Sequence, residues 1–162
     1  MSLSKRDAIF MTSSVKINFK IREIDQVDLQ KGFFKTMSNL TEVGEIHRDV
    51  ERAKNILRII KSYPFYKIFV AVKDDGEVIG SSTLLIEQKF VHNGGKVGHI
   101  EDVATRKEYE GKGVGSALVR LSLKFAKEEN CYKVILNCSK ENVPFYKKLG
   151  FKEHEISMRY DI

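Results

Sequence analysis

The chain is 162 residues long, 42% hydrophobic and 31% charged, with formal net charge +6 and a pI near 9.2. Those values exclude a disordered chain and fit one folded domain with its own core, and no apolar run reaches the length of a membrane span. The positive charge suits anionic partners. It is spread as single lysines with only short pairs such as Lys5-Arg6 and Lys147-Lys148, and no stacking-aromatic motif accompanies it, which argues against nucleic acid. Cys131 and Cys138 have neither metal-ligand spacing nor a disulfide framework, so reduced core thiols of an intracellular, cytoplasmic protein are expected, with no metal.

Residues 1–14 read as a loose leader, since the apolar stretch from Ala8 to Met11 is too short for a signal-peptide core. The domain is expected over residues 15–162. Val15, Ile17, Phe19 and Ile21 alternate with polar residues, the pattern of a half-buried strand. Asp25 or Asp28 then caps a helix running toward Leu40, and a second helix spans Ile46 to Ser62, stopped by Pro64. Strands over Ile68–Val72 and Val78–Ile86 are joined by Asp74-Asp75-Gly76, a hairpin signal. Asn93-Gly94-Gly95 turns into a strand from Lys96 to Val103. A long amphipathic helix follows to Asn130, with Val114, Ala117, Leu118, Leu121 and Phe125 on one face. A short strand over Val134–Cys138, a short helix over Asn142–Leu149 and a last strand over Phe151–Tyr160 complete the chain. The crossover from Val103 to Val134 through a helix places those two strands parallel. The class is α/β, a mixed sheet flanked by helices.

The segment between the fourth strand and the long helix carries the chemistry. Gly111, Gly113 and Gly115 lie within five positions of a loop that opens a helix. Side-chain-free positions let successive N–H groups turn toward one point, and the first turn of the helix adds its own unpaired donors and the positive end of its dipole. Such a loop holds a phosphate or pyrophosphate. A P-loop needs Lys-Ser/Thr after its second glycine, and Gly115 is followed by Ser116-Ala117. A dinucleotide fingerprint needs an acidic residue on a following strand, where this chain continues as helix. An acyl-CoA loop remains. Glu101 and Asp102 are adjacent acids in an otherwise apolar strand, so a regular strand would send one of them into the core unless a bulge or cleft receives it.

The order of elements from Val15 to Tyr160 resembles the GNAT acetyltransferase superfamily. The segments from Glu87 to His92, Gly98 to Val103, Asn130 to Lys133 and Asn142 to Phe151 narrow the resemblance to the glucosamine-6-phosphate N-acetyltransferase family. That resemblance implies the GNAT acyl-CoA-binding fold and transfer of an acetyl group from acetyl-CoA to the 2-amino group of glucosamine 6-phosphate, on the route to UDP-N-acetylglucosamine. It also implies a homodimer with the sugar site near the subunit interface. The positions it assigns to the acceptor are Thr41, Lys89, His92, Glu101, Asp102 and Asn137. Those it assigns to acetyl-CoA are Val103, Ala104, Thr105, Gly111, Lys112, Gly113, Val114, Gly115, Ser116, Asn142 and Tyr146. Two positions depart from the family: Glu110 replaces the usual Arg or Gln, and Asp161 stands where an arginine takes the sugar phosphate. Arg159, two residues earlier and on the same face of the expected last strand, is the replacement.

Amide formation from a thioester needs a neutral amine, a polarised carbonyl and an acid for the leaving thiolate. Backbone N–H groups at the strand end near Val103 are expected to serve the carbonyl, and the resemblance implies Tyr146 as the acid and Glu101, Asp102 and Asn137 as the groups that hold the acceptor. Two other functions fit the same residues: a GNAT enzyme acting on another amine, and a non-catalytic acyl-CoA-binding module.

Overall fold

The computed structural model describes residues 17–162. The expected leader and Val15 lie outside them. Strand β1 (Phe19–Glu23) begins a five-stranded sheet with spatial order β1-β2-β3-β4-β5. Strands β2 (Tyr66–Lys73), β3 (Val78–Gln88) and β4 (Lys96–Thr105) form an antiparallel meander, while β5 (Cys131–Ile135) runs parallel to β4. Helices α1 (Phe33–Met37) and α2 (Val50–Ser62) cover one face, α3 (Val114–Glu128) covers the other, and α4 (Val143–Lys148) closes the far end. The expected mixed sheet between helices is therefore present. No described helix is long and apolar enough to cross a membrane.

Each face has its own core, because strand alternation sends neighbouring residues to opposite sides. Phe69, Ala71, Ile79, Leu84, Ile86 and Ile100 pack with Val114, Leu118 and Val119 of α3. Ile68, Val70, Val72 and Val78 pack with Ile24, Leu29, Ala53 and Leu57 beneath α2.

Several expected boundaries move, each for a local reason. The first helix is broken in two: a 3-10 turn over Gln26–Gln30, then α1, split at Gly32 with φ +97°. A Cβ there would meet the Val78 carbonyl at 3.1 Å, so the break is a close approach of backbone to β3. Asp28 is no solvent-facing cap. It is fully buried, accepts from both Arg22 nitrogens at 2.6 and 2.8 Å, and accepts the Asp25 N–H at 2.7 Å. Helix α2 starts at Val50 because the Asp49 carboxylate accepts from the Arg52 N–H at 3.0 Å; Gly44–Arg48 ahead of it is 3-10. Strand β5 begins at Cys131 rather than Val134 and ends at Ile135, short of Cys138, so Cys138 is an exposed thiol and not a core one.

The expected last strand over Phe151–Tyr160 does not form. Alternation alone makes no strand, which needs a neighbour to accept its hydrogen bonds. Ile156, Met158 and Tyr160 alternate as expected, yet they are 89%, 90% and 90% exposed. Among the described residues the outer edge of β5 has no strand paired to it.

Candidate active site

The site is built where β4 loses its regular neighbours. Thr83 pairs with Glu101 and Ser81 with Ala104, so Asp102 and Val103 together stand opposite Ser82. That is a β-bulge, and Asp102 takes φ +49°, a left-handed conformation that aspartate tolerates better than most residues. Parity shows the consequence. Ile100 lies in the core under α3, and Thr105, opposite Gly80, also faces α3, although the two are an odd number of residues apart. The bulge absorbs the flip. The conflict posed by two adjacent acids is resolved this way: Glu101 is half-buried on the face away from α3, and Asp102 is exposed.

The parallel pairing of β4 with β5 covers only Lys96–His99 against Cys131–Ile135. Beyond it the strands part, and the edge of β4 from Ile100 to Thr105 faces an opening whose far side is the segment carrying Asn137, Asn142 and Tyr146. At the mouth, Gly111 and Gly113 have φ +69° and +85°, and a Cβ on either would meet nothing within 4 Å. The loop is thus an open cradle rather than a tight turn packed on protein, the kind of backbone that can hold an acyl-CoA pyrophosphate. Gly113 is the left-handed N-cap residue of α3, and no side chain caps the helix. Its first N–H groups remain available to an anion. Gly115 packs closely, with an added Cβ 3.3 Å from Thr105 Oγ1 and 3.5 Å from Phe145. Val114 is buried under the sheet, so it anchors the loop, while Lys112 and Ser116 flank the cradle. Glu110 is exposed ahead of it.

Tyr146 is 9% exposed, edge-on to Phe145 at 4.9 Å and to Phe151 at 5.8 Å. Burial, with a smaller contribution from Cys138, pushes its phenol above the ordinary tyrosine range. The group therefore stays protonated, the state required of a proton donor.

On the face opposite α3, Val97 and His99 of β4 line a cleft of about 470 Å³, and Glu101 continues the same row of the strand. Glu87, Lys89, Val91, His99, Tyr132 and Lys133 are among its lining residues. Lys89 and His99 both reach Glu87, His99 Nε2 at 3.0 Å from its carboxylate, and together they hold that carboxyl below the ordinary glutamate value. His92 has φ +52° and stacks on Tyr132 at 4.2 Å. Tyr66 of β2 lies in the same cross-strand row as Leu85 and His99; burial, then the charge of Asp102, pushes its phenol up.

Lys89 lines the cleft and His92 stacks beside it on Tyr132, Glu101 and Asp102 sit at the bulge of β4, and Tyr146 lies in the core shared with Val114 and Leu118. Asn137 and Asn142 follow β5 in exposed or half-buried chain. Thr41 sits in an exposed bend after α1. Arg159 is not brought to the cleft within the chain: it is 85% exposed and bonds to Asp161 at 2.6 Å. Sequence reasoning missed Glu87, Tyr66 and Tyr132. Glu87 lies just past the expected strand end at Ile86, and only cross-strand register places the two tyrosines.

A strand opened by a bulge, a glycine cradle on an uncapped helix and a buried tyrosine across the gap define an acyl-CoA-dependent transferase. The acetyltransferase (GNAT) family model matches residues 32–151. A Candida albicans glucosamine 6-phosphate N-acetyltransferase is 38% identical over 141 residues, covering 86% of this chain and 93% of that protein. The Trypanosoma brucei brucei enzyme of the same name is 35% identical, covering 90% and 97%. The crystal structure of the Arabidopsis thaliana glucosamine-6-phosphate N-acetyltransferase superposes with TM-score 0.83 at 35% identity, covering 89% of this chain and 98% of that one. The chain belongs to the GNAT acetyltransferase family, among the glucosamine 6-phosphate N-acetyltransferases.

Proposed function

We propose that the protein transfers the acetyl group of acetyl-CoA to the 2-amino group of glucosamine 6-phosphate. The observation that carries this reading is the glycine loop on the uncapped start of α3, packed beside the bulged end of β4 at Thr105, with Tyr146 buried in the same core as Val114. The relatives' activity supports the choice of acceptor.

Val103 and Ala104 present a strand edge without a β5 partner to the cofactor, with Thr105 at its end, the loop from Gly111 to Ser116 clasps its pyrophosphate, and Asn142 borders the channel. Acetyl-CoA supplies an activated thioester, so positioning by the protein accounts for much of the acceleration. The N–H groups around the bulge at Val103 stabilise charge developing on the acetyl oxygen. Glu101 and Asp102 hold the sugar hydroxyls and the amine, with the Asn137 backbone and Thr41 completing the acceptor contacts. Tyr146 delivers its proton to the departing sulfur. Lys89 and His92 face the sugar phosphate.

The chain works as a homodimer in this reading, in the cytoplasm, feeding UDP-N-acetylglucosamine synthesis. Support for the dimer comes from the unpaired edge of β5 and the exposed apolar row of Ile156, Met158 and Tyr160. A tail pairing with a second copy would cover both and carry Arg159 to the partner's phosphate site. Release of free CoA, compared for glucosamine 6-phosphate, unphosphorylated glucosamine and spermidine, tests the assignment. Preference for the phosphorylated sugar is expected. Equal rates with spermidine assign another amine, and no release with any amine leaves a binding module.

A further inference from the structure

We propose that Asn39 is a positioning residue that registers the acceptor loop on the cofactor strand, and so couples binding of the two substrates. The inference rests on the function proposed above for its assignment of Thr41 to the acceptor.

The Asn39 side-chain amide donates to the Thr105 carbonyl at 3.0 Å, joining positions 66 residues apart. That carbonyl lies on the open edge of β4. The next N–H, of Arg106, points the other way and donates to the Ile79 carbonyl at 2.9 Å. Carbonyl and N–H of one peptide point in opposite directions, so the Thr105 oxygen faces the gap that β5 leaves. Asn39 thus touches the last carbonyl of the edge against which the cofactor lies.

Both ends of this contact are fixed to the moving parts of the reaction. On the Asn39 side, α1 is pinned to β3, because buried Thr36 donates its hydroxyl to the Val78 carbonyl at 2.9 Å. The Asn39 and Thr41 N–H groups bond back to Thr36 and Met37 at 3.2 and 3.3 Å, so Thr41 follows the turn that Asn39 sets. On the other side, Thr105 has its hydroxyl within 3.3 Å of the place a Gly115 Cβ would take, against the first turn of α3. One residue therefore touches the pyrophosphate clasp through its side chain and the acceptor loop through its carbonyl. A ligand that orders the clasp and the β4 edge also orders residues 38–43, and linkage makes the effect reciprocal.

Two measurements test this. Hydrogen exchange is followed for the amides of residues 39–43, with and without CoA, in the wild type, Asn39→Ala, Asn39→Asp and Asn39→Gln. In the wild type CoA slows exchange in the loop by about fivefold, the weight of one ordinary hydrogen bond. In Asn39→Ala, and in the isosteric Asn39→Asp that has no donor, loop protection disappears while amides of Gly113–Gly115 are still protected by CoA. Asn39→Gln, which keeps the amide, recovers part of it. In steady state, the KM for glucosamine 6-phosphate falls as acetyl-CoA rises in the wild type and stays flat in Asn39→Ala, with kcat at saturation unchanged. A purely structural role would instead lower the melting temperature and leave the dependence of one KM on the other substrate intact. Equal loop protection by CoA in the wild type and Asn39→Ala overturns the inference. Protection that behaves as expected in a protein that does not acetylate glucosamine 6-phosphate overturns the acceptor assignment and leaves the role of Asn39 standing.

Discussion

At the scale of single residues, Tyr146 carries the sharpest chemical claim. Its burial between Phe145 and Phe151 fixes the ring and raises the phenol's pKa, so the proton remains in place through neutral pH and beyond the ordinary tyrosine value of about 10. Tyr146→Phe keeps the packing and removes the donor. The expected outcome is a kcat lowered by roughly a hundredfold, an unchanged affinity for acetyl-CoA and an unchanged melting temperature. Pre-steady-state measurement of the chemical step checks it, and an unaltered step returns Tyr146 to a packing role. Asp102 is the second telling residue. Its left-handed backbone is the local cost of turning two consecutive acids out of the core, and sequence alone identified the conflict without showing which acid would absorb it.

At the scale of elements, the clasp works by what it lacks. Gly113 needs φ +85° and leaves open space, so Gly113→Val both strains the backbone and fills the cradle. CoA binding should be lost in calorimetry while circular dichroism shows the fold retained. Glu110→Gln removes a negative charge beside the pyrophosphate and should tighten CoA binding at fixed salt; weaker binding would show that the carboxylate is needed. The loop is approached through Arg106, which is 4% exposed and bonded to Glu77 of the hairpin and to Glu108. Arg106, with help from Lys73, holds the Glu77 carboxyl below its ordinary value. A depressed carboxylate pKa adds stability above the unfolded value of about 4.3, lost as pH falls through the folded value. Glu77 is partly exposed, so the effect is modest. The melting-temperature gap between wild type and Glu77→Gln should be present at pH 7 and shrink progressively as pH falls below the ordinary glutamate value. A gap independent of pH would remove the ion pair from the account.

At the scale of the whole molecule, the sheet is left open at β5 and the tail is left exposed. Burying Ile156, Met158 and Tyr160 against a second copy would contribute about 1.5–3 kcal/mol for each side chain. Full-length protein should sediment as a dimer, and a variant ending at Lys152 as a monomer. If that variant remains dimeric, the tail is not the interface. Arg159→Ala separates the tail's two roles: the dimer should persist, KM for glucosamine 6-phosphate should rise strongly, and preference for the phosphorylated sugar should shrink. Undiminished preference would remove Arg159 as the phosphate ligand.

What the sequence determined by itself was whatever is local. Alternation set the strands, Asp74-Asp75-Gly76 set the hairpin, and three glycines before an amphipathic stretch set the clasp, because each depends on residues a few positions apart. The segments that resemble the family assign acceptor and cofactor positions residue by residue, a reading that comes from likeness of local motifs rather than from geometry. Only the tertiary structure decided where the strands part, that the bulge falls opposite Ser82, and that Glu87 and Tyr132 join the cleft. Those depend on cross-strand register, which no short window of sequence contains. The last strand was misread for the same reason: Phe151–Tyr160 has the right alternation, but a strand is a property of a pair, and among the described residues it has no partner.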